Sequence, residues 1–154
     1  IKLNALIDKI KSSKTHLNIG FLNGEEADIA AKNEYGGTYP VDEVYRKRAA
    51  AKGIIFDEDA ELTIPPRPFM QNTVTKQKGK WAKTAIEMTK NNGGDIEKAL
   101  QNVGRMAKDD IQDTIEEGDF IENSGRTVVI KDKENSPLID TGEMIQSIEW
   151  ELTK

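Results

Sequence analysis

The strongest pattern in the sequence is an apolar stripe that runs through residues 95–117. Its members recur every three or four positions and are Ile96, Leu100, Val103, Ala107, Ile111 and Ile115. This spacing predicts one long amphipathic helix, with Asp95 at its start and Gly118 as the residue that ends it. A helix that is apolar on one side must pack against another layer of structure, so the remaining segments have to supply that layer.

Two segments near the ends of the chain alternate apolar and polar residues, as half-buried strands do. The apolar members are Leu17, Ile19 and Phe21 in segment 17–22 and Ile148, Trp150 and Leu152 in segment 147–153. We expect the two segments to belong to a small, mainly antiparallel sheet with one apolar face. A second long helix is predicted over 71–91. The predicted fold class is therefore α+β, with the helices 71–91 and 95–117 packed on one face of the sheet.

Shorter elements are predicted between these parts. The spacing of apolar residues favours helices over 3–10 and 26–35. The β-branched run at 127–131 is typical of a strand.

Residues 37–63 show no regular periodicity, and we predict a long loop or β-hairpin arm there, with residues 54–56 as a short strand. The arm carries two clusters of opposite charge. The basic cluster is Arg46, Lys47 and Arg48, and the acidic cluster is Asp57, Glu58 and Asp59. The clusters would face each other across the hairpin or pair between neighbouring molecules. We therefore expect the arm to be the main protein-interaction surface.

Length and composition restrict the possible functions. The 154 residues suit a single domain over 1–154, and no apolar run is long enough to span a membrane. The chain has no cysteine, one histidine and a net charge of −5, which excludes thiolate chemistry and multi-histidine metal sites. His16 is interpreted as a polar residue leading into the first strand. We predict no catalytic, cofactor-binding or metal-binding residue.

Two other functions were weighed against the charge pattern. The acidic helix segment 109–117 places Asp109, Asp113 and Glu117 on one face, where they could hold a divalent cation in a small metal-dependent hydrolase or nuclease. A solvated face opposite the apolar stripe explains the same pattern more simply. The basic cluster could contact nucleic acid, but the cluster is small and the chain as a whole is acidic.

Four short segments, taken in order, carry a resemblance to a known family. They are Ala31-Lys32-Asn33-Glu34-Tyr35-Gly36, then Ile64-Pro65-Pro66-Arg67-Pro68-Phe69, then Gly94-Asp95 before the long helix, then Pro137-Leu138-Ile139-Asp140-Thr141-Gly142 with Ser147-Ile148 after it. The set resembles the tail-completion, or head–tail joining, proteins of long-tailed bacteriophages and prophages. That family carries the patterns Asn-Glu-Phe/Tyr-Gly, Pro-x-Arg-Pro-Phe and Pro-Leu-Ile/Val-Asp-Thr-Gly before a Ser-Ile strand. In this chain the first two patterns are further apart than is usual, because of segment 37–63. The resemblance also implies a short helix, which Thr127 could cap, where the residues 127–131 predict a strand, so both structures remain open there.

The resemblance implies a structural virion protein and not an enzyme. Such a protein would form a ring, usually sixfold, in the neck of the particle after assembly in the host cytoplasm. Its partners would be a head-closure or connector protein and a tail terminator or tail tube protein, and DNA would pass through the ring without specific binding. In this setting Arg67 would either anchor a carboxylate of a neighbouring subunit or pair with Glu34 in its own subunit.

Overall fold

The computed structural model describes residues 3–22, 24–124, 127, 129–130 and 142–154, and its fold class is α+β, as predicted. The described ranges contain six helices and four strands. The helices are α1 (Leu3–Ser12), α2 (Glu25–Tyr35), α3 (Glu43–Ala51), α4 (Phe69–Asn91), α5 (Ile96–Glu117) and α6 (Glu143–Gln146). The strands are β1 (His16–Gly20), β2 (Gly37–Pro40), β3 (Glu61–Ile64) and β4 (Glu149–Thr153).

The first and last strands form an antiparallel pair, which confirms the predicted pairing of the two alternating segments. Leu17 lies opposite Leu152 and Ile19 lies opposite Trp150. All four side chains are half-buried, while the residues between them are exposed on β1 and β4. The period of two therefore places one apolar face of this sheet towards the helices.

Helix α5 packs directly on this sheet, and α4 runs along α5. Asp95 caps α5 by accepting a hydrogen bond from the Lys98 N–H at 3.0 Å, and Gly118 ends it in the left-handed conformation. The stripe is confirmed in its C-terminal part but differs at its start, because Ile96 and Leu100 are only half-buried. The buried apolar residues of α5 are Ala99, Val103, Ala107, Ile111 and Ile115.

A buried carboxylate on α5 fixes the two long helices side by side. Asp110 is 9% exposed and accepts hydrogen bonds from Lys80 Nζ at 2.9 Å and from Trp81 Nε1 at 2.7 Å, both on α4. One turn further along, the Thr73 hydroxyl donates to Thr114 Oγ1 at 2.7 Å. These polar contacts set the register between α4 and α5, since each buried donor needs its acceptor.

The main apolar core joins elements that are distant in sequence. Its buried members are Ala30, Phe69, Ile111, Ile115, Met144 and Ile148. The ring of Phe69 meets Phe21 edge-on, with centroids 6.0 Å apart. The start of α4 is therefore held in place by α2, α5 and α6 together, and Phe69 is a core residue.

Segment 37–63 differs from the predicted arm. Its ends do pair, since β2 and β3 form a second antiparallel sheet with Tyr39 opposite Leu62. However, helix α3 lies between these strands, and the predicted strand at 54–56 is wrong. Gly53 (φ 74°) ends α3, with the Ile54 N–H donating to Ala49 O and the Gly53 N–H donating to Ala50 O. This pair of bonds is a Schellman motif, so Gly53 has a defined role in ending a helix.

Three described positions test the uncertain element at 127–131. Thr127, Val129 and Ile130 are helical, and Ile130 is buried. The strand prediction is therefore wrong at these positions, and the helical alternative holds there. Val128 and Lys131 lie outside the described residues, as do Pro137–Thr141 of the fourth segment of the resemblance. Gly142 occupies the position that caps α6.

Two glycines within the long helices provide a matched test of how α5 packs on the sheet of β1 and β4. A methyl group on Gly104 of α5 would lie 2.6 Å from Trp150 Cδ2, whereas one on Gly79 of α4 would have no neighbour within 4 Å. We expect Gly104→Ala to lower the free energy of unfolding by about 1–3 kcal/mol through overpacking. Gly79→Ala should raise it by roughly 0.5–1 kcal/mol, because alanine favours the helix. Urea denaturation of both variants measures the difference, and equal shifts would contradict the Gly104–Trp150 contact.

Candidate protein-interaction site

Arg67 is a buried cation whose hydrogen bonds to the described residues go to uncharged oxygens. It lies between β3 and α4, is 4% exposed, and donates from Nε to Ile121 O at 2.7 Å. Nη1 donates to Asn33 Oδ1 at 2.9 Å, and Nη2 donates to Glu122 O and Asn123 Oδ1 at 3.4 and 3.3 Å. Burial lowers the pKa of Arg67 below its ordinary value, because desolvation disfavours the charged form.

Glu34 does not pair with Arg67, so that prediction is wrong. Its carboxylate turns to the start of α4, where it accepts hydrogen bonds from the N–H groups of Met70 at 2.9 Å and Gln71 at 3.0 Å. These N–H groups have no partner within the helix, and an anion at a helix N-terminus is favoured. Glu34 thus caps α4 from a distance of more than thirty residues along the chain.

The backbone of residues 33–36 is also in direct contact with the backbone of residues 64–67. The Arg67 N–H donates to Asn33 O at 2.6 Å. At Gly36, which ends α2 with φ 67°, a β-carbon would lie 2.7 Å from both Ile64 O and Pro66 N. Only glycine permits this approach, because the contacts are to backbone atoms that cannot move aside. The Asn33–Gly36 and Ile64–Phe69 segments therefore form one interlocked unit.

Arg46 and Lys47 do not form ion pairs with the carboxylates of the acidic cluster across a hairpin, so that prediction is wrong for them, while pairing between neighbouring molecules stays a prediction. The guanidinium of Arg46 donates to the backbone carbonyls of Val41, Phe56, Asp57 and Glu58, at 2.6–3.1 Å, rather than to carboxylates. Lys47 pairs with Glu43 one turn away at 2.8 Å on the exposed surface of α3. Arg48 is also exposed on α3.

The acidic cluster remains on the surface as a consequence. Asp57, Glu58 and Asp59 are all exposed, and the preceding Ile55 has 89% of its surface exposed. Phe56 packs against Tyr45, with ring centroids 5.9 Å apart. The loop at residues 54–59, hereafter the acidic loop, is therefore attached to α3 through its backbone and through Phe56, and it presents its carboxylates outwards.

A cleft of about 440 Å³ opens beside Arg67. Helix α2 contributes Ile29 and Lys32, and the later part of the chain contributes Glu122, Asn123, Ser124 and Thr127. The β2–β3 sheet contributes Tyr39, Leu62 and Ile64. Lys32 lies 5.1 Å above the Tyr39 ring and pairs with Asp28 at 2.6 Å, and this hydrogen bond raises the pKa of Lys32. We call this space the Arg67 cleft. Its volume is within the range of ligand-binding pockets.

The acidic face of α5 does not form a metal site in the described part of the chain. Within that part, no three histidine, cysteine, aspartate or glutamate side chains converge in a way that could hold an ion. Asp110 is used between the helices, as described above, while Asp109 and Glu117 lie on the surface of α5, where Lys76 approaches Glu117 to 3.9 Å. His16 is exposed at the start of β1.

Comparison with known proteins assigns this chain to no family and gives it no function. The chain matches no model of a protein family, and no curated protein or solved structure is significantly similar to it. Among the helices in the described ranges, none combines the length and the apolar character needed to cross a bilayer.

The capping role of Glu34 leads to a stability prediction. Glu34→Ala should lower the free energy of unfolding by about 1–3 kcal/mol, because two partly buried N–H groups lose their charged acceptor. Asp28→Ala on the same helix is the matched control, and it should cost no more than about 1 kcal/mol because its pair with Lys32 is on the surface. Thermal and urea denaturation measure both. A larger loss for Asp28→Ala would argue against the capping role.

The role of Arg46 leads to a prediction about local order. Lysine cannot span four carbonyls from one ammonium group, so Arg46→Lys should release the acidic loop while the domain stays folded. Hydrogen–deuterium exchange over residues 54–60 should become faster in this variant. Lys47→Ala, which removes only an exposed pair, should leave that exchange unchanged. Equal exchange in the two variants would show that Arg46 does not hold the loop.

Proposed function

We propose that this chain is a structural subunit of the ring that completes a bacteriophage tail and joins it to the head connector. The observation that carries the proposal is the physical contact between the segments of the resemblance. Asn33–Gly36 interlocks with Ile64–Phe69 through the contacts of Glu34, Gly36 and Arg67. Phe69 in turn meets Ile148, from the end of the fourth segment, in the core.

Segments that contact one another are constrained as a unit. Any residue larger than glycine at position 36 would displace the backbone of Ile64 and Pro66, and loss of Glu34 would leave N–H groups of α4 without an acceptor. The first two segments therefore share one structural cause, which makes two independent chance matches a weaker explanation for them. This supports the resemblance in that part of the domain.

The exposed apolar residues support a role in assembly. Exposed large apolar side chains can mark protein contacts. Ile29 of α2, which lines the Arg67 cleft, is 47% exposed, and Tyr35 at the end of α2 (80%), Val44 of α3 (69%) and Ile55 of the acidic loop (89%) are exposed as well. A subunit that is covered by neighbours in a ring and on both ring faces would bury such residues after assembly.

The net charge of −5 suits a ring that surrounds DNA without holding it. Acidic side chains on an inner surface repel phosphates, so that the duplex slides past them. The proposed partners are further copies of the chain, a connector or head-closure protein, and a tail terminator or tail tube protein.

Deletion of the gene from its phage or prophage tests the proposal. We expect filled heads and separate tails in electron micrographs of the lysate, because the joining step would be lost. Expression of the wild-type chain from a plasmid should restore joined particles. A chain carrying Gly36→Val, which should not fold because of the Ile64 and Pro66 contacts, is the control that should fail to restore them. Joined, infectious particles in the deletion strain would overturn the proposal.

The alternative of a metal-dependent hydrolase makes an opposite prediction. Binding to the folded state raises the unfolding free energy, by about 2.7 kcal/mol when the ligand is at one hundred times its dissociation constant. We expect the melting temperature to be the same in Mg²⁺, Mn²⁺ and Ca²⁺ as in chelator at matched ionic strength. A rise with one cation that is abolished by Asp113→Asn would favour the hydrolase.

A further inference from the structure

The buried charge of Arg67 is not neutralised within the described residues. A guanidinium has five N–H donors, and four of the Arg67 donors have acceptors, all of which are carbonyl or amide oxygens. No described carboxylate lies within ion-pair distance of it, and Glu34 is turned to the helix start. A buried cation that has hydrogen bonds but no counter-charge is costly, and an anion that reached it would relieve that cost.

The Arg67 cleft restricts what that anion can be. The apolar side chains of Ile29, Leu62 and Ile64 line it, so the anion should be attached to apolar groups. The lining carries Asp42 and Glu122 beside Lys32 and Arg67, so the attraction is confined to the neighbourhood of Arg67 and suits one carboxylate there better than the long phosphate backbone of a nucleic acid. A carboxylate on a peptide segment that also carries apolar side chains fits both conditions.

This chain displays such a segment itself. The acidic loop reads Ile54-Ile55-Phe56-Asp57-Glu58-Asp59, which combines apolar residues with carboxylates. Ile55 is 89% exposed, and the three carboxylates are exposed as well. Arg46 holds the loop through its carbonyls, so Ile55 and the three carboxylates are exposed while the loop stays attached.

We propose that the acidic loop of one copy docks in the Arg67 cleft of a second copy. Ile55 lies against the apolar lining, and a carboxylate of Asp57, Glu58 or Asp59 approaches the guanidinium of Arg67. The two surfaces are different parts of the chain, so the contact can repeat head to tail and close into a ring. The inference deepens the proposed function, on which its biological role rests, by naming the contact between subunits.

Disulfide trapping tests the contact directly, because the chain has no cysteine of its own. An Ile55→Cys chain is mixed with a mass-tagged Ile29→Cys chain at high protein concentration and oxidised, so that any heterodimer is intermolecular. The control partner is Ile86→Cys on α4, which is exposed to nearly the same extent, 43% against 47% for Ile29. We expect about tenfold more heterodimer with Ile29→Cys than with Ile86→Cys. Equal yields would overturn the proposal.

A second measurement tests the role of charge in the full chain. Asp57, Glu58 and Asp59 are replaced by their amides in the Ile55→Cys chain, and trapping with Ile29→Cys is repeated. The yield of heterodimer should fall about tenfold or more, as expected for the loss of a charge-assisted bond. Amides at Asp109, Asp113 and Glu116, which are exposed on α5, are the matched control and should leave the yield unchanged. An unchanged yield with the amidated loop would contradict the proposal.

The outcomes separate this contact from the proposed function. If the deletion strain lacks joined particles but the cysteine pair gives no excess heterodimer, the joining function stands and this contact is wrong. If the heterodimer forms but the deletion strain still makes joined particles, the chain associates through the cleft and the joining function is wrong.

Discussion

The contact between the end of α2 and the extended segment after β3 determines the positions of most other elements. At Gly36 the backbone passes so close to Ile64 and Pro66 that no side chain fits, and the Arg67 N–H bonds to Asn33 O nearby. This contact places β2 beside β3 and directs the chain into α4. Phe69 follows two residues after Arg67. The contact therefore also determines where the aromatic ring of Phe69 lies in the core, between α2, α5 and α6.

The parts of the fold that were predicted correctly are those whose pattern is local. The period of two in β1 and β4 and the stripe of α5 both arise from one-sided burial, which the sequence records directly. Helix α3 has no such stripe, since Ala49 is its one fully buried residue, and its ends are defined by the Asp42 cap and by Gly53. Residues 54–56 have the composition of a strand but pair with no strand in the described part of the chain, and the Phe56 carbonyl bonds to Arg46.

The partners of the charged side chains within the chain could not be predicted from the sequence. The sequence singled out Arg46, the acidic cluster and Arg67 as interface residues, which stays a prediction, and it offered each cation a carboxylate partner in the same chain or in a neighbouring subunit. Among the described residues, both arginines bond to uncharged oxygens, and Glu34 bonds to backbone N–H groups. Backbone donors and acceptors are present at almost every position, so a pattern of charges cannot show which of them a long side chain will reach.

Arg46 and Arg67 both donate hydrogen bonds to uncharged oxygens of the described residues, and this has a consequence for the surface. Carbonyl and amide oxygens satisfy the N–H groups of a guanidinium but do not cancel its charge. Asp57, Glu58 and Asp59 carry carboxylates that could have neutralised these charges within the chain. These carboxylates lie instead on an exposed loop. The buried cation, Arg67, and the exposed carboxylates of the acidic loop therefore lie on two different surfaces of one molecule and are complementary in charge. The two surfaces can pair between copies of the chain. Because the same contact then repeats from copy to copy, it sets the direction and the register of the assembly.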